Sequence, residues 1–145
     1  MRLIRQNRGF SIIELLATVV IYSILFAVAM PHIQNLRLMS GLSSGQQAVA
    51  AALLRARWLA INRGGQHTVT LSGSNLVQIH SGNASAAVVS SADLSNYGVT
   101  VDSFTAFAFD VRGFVPSSQT ITVRQAALPA TKNVTVGVYG KVVAP

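Results

Sequence analysis

From Phe10 to Met30 the chain shows almost no polar positions: isoleucine, leucine, valine and alanine dominate, and Glu14 is the single charged residue. About 20 apolar residues suffice to cross a bilayer as a helix, and neither proline nor glycine interrupts this run before Pro31. Beyond Pro31 a helical period returns. Between Gln46 and Arg63 alanine and leucine are frequent, and Leu54, Trp58 and Ile61 fall at i, i+4 and i+7 on one face. A large apolar stripe of that spacing predicts the packing face of the helix, with Trp58 in the core. Gly64-Gly65 supplies a stop, while Pro31 and Gly41-Leu42-Ser43-Ser44-Gly45 are two weak points where the helix could bend or melt.

After Gly65 the apolar period shortens to two. His67–Leu71 and Leu76–His80, separated by Ser72-Gly73-Ser74-Asn75, read as a β-hairpin. Gly82 to Gly98 is small and polar and reads as a loop. Further strands are expected at Val99–Val101, Phe104–Phe109, Thr120–Arg124 and Asn133–Tyr139, the last with Val134, Val136 and Val138 on one face. Pro116-Ser117-Ser118 and Leu128-Pro129-Ala130 mark turns. The pattern predicts an α+β fold: a long N-terminal helix, its first half membrane-inserted, packed by its second half on an antiparallel sheet.

With 145 residues the chain can build one modest domain plus an appendage. Its net charge of +7 raises nucleic acid or anionic membrane as partners. Arg2, Arg5 and Arg8, however, stand just before the apolar run, and without them eight basic residues face four acidic ones. Positive charge on that flank predicts a cytoplasmic N-terminus with the bulk of the chain outside. A secretory signal would have a shorter apolar region ending in its small-residue cleavage site, whereas here the small residue, Gly9, precedes the run. A plain anchor leaves Glu14 unexplained, because a carboxylate in a membrane helix is costly and calls for a partner.

The segment Gly9-Phe10-Ser11-Ile12-Ile13-Glu14-Leu15-Leu16 resembles the prepilin signature of type IV pilins and type II secretion pseudopilins. Serine stands at position 11 where threonine is commoner. The resemblance implies cleavage between Gly9 and Phe10 by a prepilin peptidase and N-methylation of Phe10. Glu14 is then fifth in the mature chain, and Pro31 falls where these families often carry a helix-kinking proline. The new amine on Phe10 would be a buried cation among packed helices, and Glu14 of a neighbouring subunit could neutralise it. Leaving one member of a buried pair alone costs roughly 3–5 kcal/mol, so the pair would set subunit register.

Phe109-Asp110-Val111-Arg112-Gly113 is similar to a stretch of the GspH/FimT-type minor pilins and pseudopilins, as is the helix end Arg55–Arg63. Gly140-Lys141-Val142-Val143 keeps the glycine and one base of that subgroup's closing element, with valine where the second base would stand. The resemblance implies four segments: a leader (1–9), a transmembrane and filament-core helix (10–31), its second half (32–64) and a β-rich periplasmic domain (65–145). The expected location is the inner membrane, single pass, and then a pilus or pseudopilus. Expected partners are other pilin or pseudopilin subunits, the prepilin peptidase and the inner membrane, with double-stranded DNA as a further candidate at Arg112, Lys141, Arg124 and Lys132.

Catalytic chemistry has little support. The chain has no cysteine, and His32, His67 and His80 lack zinc-type spacing, so no metal or other cofactor is expected. Asp93, Asp102 and Asp110 are too scattered to propose a catalytic pair, and Asp110 reads as turn chemistry. The sequence favours a non-enzymatic minor pilin-like subunit that assembles into or at the tip of a pilus. A minor pseudopilin of a type II secretion system stays open as the alternative.

Overall fold

The computed structural model describes residues 11–145. Gly9 and Phe10, the expected processing site, and the leader 1–9 lie outside the described residues. Helix α1 covers Ile12–Arg63. It passes through Pro31 and through Gly41–Gly45, so neither predicted weak point ends it. Pro31 has no N–H to give to the Ala27 carbonyl, a local loss that the hydrogen bonds on either side contain. By its internal contacts the chain divides into two units, one reaching to Leu36 and one from Arg37 to Pro145.

In the first unit the large apolar side chains from Ile12 to Leu36 are exposed. The stretch is long and apolar enough to cross a membrane. Two of its hydroxyls turn inward to the helix backbone: Thr18 Oγ1 donates to the Glu14 and Leu15 carbonyls at 3.0 and 2.8 Å, and Ser23 Oγ to the Val19 carbonyl at 2.8 Å. These two hydroxyls are thereby satisfied without water, as a hydrocarbon surrounding requires.

The second unit is built on two antiparallel four-stranded sheets, not the single sheet expected. The first contains β1 (His67–Ser72), β2 (Leu76–Ser81), β3 (Val88–Asp93) and β5 (Phe107–Phe109), in the order β3-β2-β1-β5. The second contains β4 (Val99–Val101), β6 (Gln119–Gln125), β7 (Thr131–Val136) and β8 (Val142–Val143), in the order β4-β6-β7-β8. The β1–β2 hairpin forms as expected, each strand one residue longer than read from the sequence, with Val69 opposite Ile79. Val69, Val77, Ile79 and Phe109 of the first sheet join Ile121, Val123, Val134 and Val136 of the second in one buried cluster with α1.

Three strand expectations need correction. Gly82–Gly98 is not all loop: Val88–Asp93 pairs with β2, and a 3-10 turn follows at Ser95–Tyr97. Its small polar residues hid a strand at the sheet's edge, where side chains need not be apolar. Phe104 lies outside the short β5, and the last long strand ends at Val136. Val138 is therefore exposed, off the face shared by Val134 and Val136.

The helix face also differs from expectation. Leu42, Val49, Leu53, Ala56, Leu59 and Ala60 are buried, whereas Leu54, Trp58 and Ile61 remain 50%, 60% and 47% exposed. Trp58 is not in the core. The true packing face is made of small and medium residues because the sheets approach closely. A methyl group at Gly45 would lie 2.5 Å from a Val99 methyl, and one at Gly41 would lie 2.8 Å from the Tyr97 carbonyl oxygen. The supposed soft spot at Gly41–Gly45 is thus a contact surface. Beside it, Gln46 donates to the Asn133 and Pro145 carbonyls at 2.8 and 3.0 Å.

Candidate functional site

The Phe109–Gly113 stretch and the Gly140-Lys141 element, far apart in sequence, meet at the end of α1. Phe109 is fully buried and anchors the first of them. Asp110 then folds the chain back: its Oδ1 accepts from the amides of Arg112 and Phe114 at 2.9 and 2.8 Å, and its carbonyl accepts from Gly113 N at 2.8 Å. Asp110 is turn chemistry, as expected. The second turn closes through Gly140 N to the Gly137 carbonyl, 2.7 Å, and Gly137 N to the Lys141 carbonyl, 2.9 Å. Val115 N donates to the Val138 carbonyl at 2.9 Å, and the rings of Phe114 and Tyr139 meet edge to face at 5.8 Å. The two turns are joined by backbone and by aromatic contact.

Glycine is required on both. Gly113 and Gly140 have φ of 76° and 71°, where a side chain is strained. Space is lacking as well. A methyl at Gly140 would overlap the Gly113 carbonyl, and one at Gly113 would lie 2.8 Å from Ile61 Cδ1 and 3.0 Å from Arg57 Cγ. Arg57 thus lies against both turns, with its Nε buried and without a hydrogen-bond partner among the described residues. Arg112 and Lys141, each next to one of these glycines, are exposed. The structure brings them to one locus with Arg57, a residue the sequence reading did not single out. Its position on the helix face beside Ile61 was the available signal.

The other two basic candidates lie elsewhere. Arg124, on β6, is paired with Asp102 at 3.1 Å. Lys132, on β7, donates to Ser43 Oγ at 3.0 Å, near the Gln46 contacts. The four predicted basic residues do not form one surface. Glu14 is in the first turn of α1 and exposed.

Histidines and acids are dispersed. His67 and His80 are buried, as core imidazoles: His67 Nδ1 donates to the Gly65 carbonyl, and His80 lies between the Ala86 carbonyl and the Thr70 hydroxyl. Among the described residues no group of three histidine or acidic side chains could hold a metal ion. The side-chain and backbone hydrogen bonds of Ser95 hold the exposed Asp93 carboxyl below its ordinary range, away from the two turns. An open groove of about 550 Å³ beside the Asp110 turn is lined by Gln66, Ala108, Val111 and Phe114, with Asp110 its one ionisable group.

Residues 4–30 match the family model of the prokaryotic N-terminal methylation motif. The arrangement of helix and sheets matches that of the type IV minor pilin FimU of Pseudomonas aeruginosa, with a TM-score of 0.64. The chain has the pilin fold. That likeness covers 74% of this chain and 90% of FimU at 16% identity. The minor pseudopilin EpsH from the type 2 secretion system of Vibrio cholerae is also similar, with a TM-score of 0.56, 15% identity, and coverage of 72% of this chain and 95% of EpsH. No curated protein sequence matches the chain. At such identities the pilin likeness carries the fold alone.

Proposed function

We propose that this chain is a minor subunit of a type IV pilus, inserted in the inner membrane as a precursor, cut between Gly9 and Phe10, methylated at Phe10 and assembled at or near the filament tip. The observation that carries the reading is the methylation motif at residues 4–30 running directly into an exposed apolar helix, on a chain with the pilin fold. Glu14 serves as the register charge for the Phe10 amine of a neighbour, and Pro31 breaks the backbone ladder within the inserted helix. The likeness to EpsH supports a minor pseudopilin of a secretion machine as the alternative. The role is structural, not enzymatic.

Processing is the first test. Glycine lets the backbone approach a peptidase site closely, so Gly9→Val should leave only uncleaved precursor, seen by mass spectrometry as a chain retaining residues 1–9. A mature chain beginning at Phe10 in that variant would refute the proposal.

A second reading, binding of double-stranded DNA, is favoured by one feature: the Gly113 and Gly140 turns touch each other and Arg57, and the exposed Arg112 and Lys141 are the chain neighbours of those glycines. Arg124 and Lys132, already engaged by Asp102 and Ser43, drop out of that reading.

A further inference from the structure

The turn between β2 and β3 carries a pattern for which a filament subunit has no evident use. Asn83-Ala84-Ser85 sets serine two residues after asparagine with no proline between, the pattern at which exported chains accept N-linked glycans. A second such pattern, Asn133-Val134-Thr135, lies on β7. The fold treats the two differently. Asn133 and Val134 are paired with β6 and Thr135 with both β6 and β8, Val134 is fully buried, and the Asn133 carbonyl is held by Gln46. No enzyme could draw that segment into its site without opening the sheet.

Asn83, Ala84 and Ser85 are all exposed, at a tip whose base is fastened. Gly82 N donates to the Gln66 carbonyl at 2.8 Å, Ser81 N to the Ala87 carbonyl at 3.0 Å, and His80 Nδ1 to the Ala86 carbonyl at 2.7 Å. Within the tip, Ala86 N donates to the Asn83 carbonyl at 3.0 Å and Ser85 N to Asn83 Oδ1 at 3.2 Å. A backbone N–H only donates, so the side-chain atom facing Ser85 is the oxygen, and Nδ2, the nitrogen that a sugar would join, takes no part in that contact. The strand that follows lacks protection. β3 is an edge of the first sheet, and from Val88 to Ala92 it has neither charge nor proline, the usual guards of an open edge.

We propose that Asn83 is the acceptor of an N-linked glycan, added by a separate membrane transferase from a sugar carried on a lipid diphosphate, and that this glycan shields the β3 edge. Asn83 Nδ2 attacks the anomeric carbon of the sugar. The C–N bond forms as the bond from that carbon to the diphosphate oxygen breaks, the diphosphate leaves with the electron pair, and one Nδ2 proton passes to a base of the transferase. Nothing is oxidised or reduced. The site depends on the proposed function only in needing residues 65–145 outside the cytoplasm.

The full chain is isolated from the membranes of the cells that make it naturally, and its intact mass and fragment spectra are recorded. The expected result is the added mass of one oligosaccharide, located at Asn83 by fragmentation that preserves the sugar link. Asn83→Gln and Ser85→Ala should each lose that mass, Ser85→Thr should keep it, and Asn133→Gln should change nothing. In detergent, the Asn83→Gln chain should sediment as larger species than the wild type, and adding Ser91→Lys, which charges the open edge, should return it to the wild-type size. An unmodified Asn83, a sugar that survives Asn83→Gln on a serine, or equal sedimentation of the glycosylated and Asn83→Gln chains would each overturn the inference. Protease added outside the inner membrane separates the two readings: an unmodified chain that is cut refutes the site alone, and one that is protected refutes the outward placement as well. Gly9→Val should still carry the sugar, so failure of processing and failure of this modification read out separately.

Discussion

At the scale of single residues, the glycines of the two touching turns carry more of the structure than the largest side chain does. Gly140 combines positive φ with a backbone carbonyl where a methyl would go, and that carbonyl has no flexible end that can move aside. The left-handed conformation costs a side chain about 1–2 kcal/mol, and overpacking adds about 1–3 kcal/mol. Gly140→Ala should therefore destabilise the chain by at least about 2 kcal/mol. Trp58→Ala, at an exposed helix position, should cost less than about 1 kcal/mol. Chemical denaturation of the detergent-solubilised chain, followed by far-UV circular dichroism, measures both. A reversed order would mean that the packing at the end of α1 is misassigned. Sequence reasoning expected the opposite for Trp58, because it judged a helix face by the size of its apolar residues. The Val49, Leu53, Ala56 and Ala60 face is smaller, and it is buried because Gly41 and Gly45 let the sheets come close.

At the scale of elements, what could be read from the sequence depended on whether an element's environment is apolar. The β1–β2 hairpin, β4 and β6 were legible because alternation marks a strand with one covered face. β3 was not, because an edge strand of serine, alanine and valine has no strong alternation to show. The division into two sheets was illegible for a different reason: the partners of β5 and β6 are set by contacts distant in sequence. α1 was legible as a helix on either side of Pro31 and Gly41–Gly45, which the sequence marked as weak points and the helix passes through, and its apolar first half gives Glu14 its meaning. Glu14→Val should permit cleavage and membrane insertion yet strongly reduce incorporation into filaments, since valine keeps the segment apolar and removes only the charge proposed to answer the Phe10 amine. Quantitation of the variant in sheared filaments, against its level in membranes, tests this. Wild-type incorporation would refute the register role.

At the scale of the whole molecule, the question is whether its positive charge is a binding surface or a solvated excess. Arg124 is neutralised in part by Asp102, and Lys132 is turned to Ser43, so a generic electrostatic attraction would have to draw on every base alike. A built site would draw on the bases at the two turns. These outcomes separate by substitution. If Arg57, Arg112 and Lys141 contact phosphates, duplex affinity should fall by roughly one to two decades between 50 and 200 mM salt and be indifferent to sequence. Arg112→Gln and Lys141→Gln should each reduce the salt slope by about one, while Arg124→Gln and Lys132→Gln should leave it nearly unchanged. The measurement is a titration of fluorescent duplex with the chain in nanodiscs of uncharged lipid, which removes competition from anionic headgroups. Equal effects of all four substitutions would reduce the charge to a diffuse field. An absence of binding at 50 mM salt would leave the two turns as the joint that holds Phe114, Tyr139 and the end of α1 together.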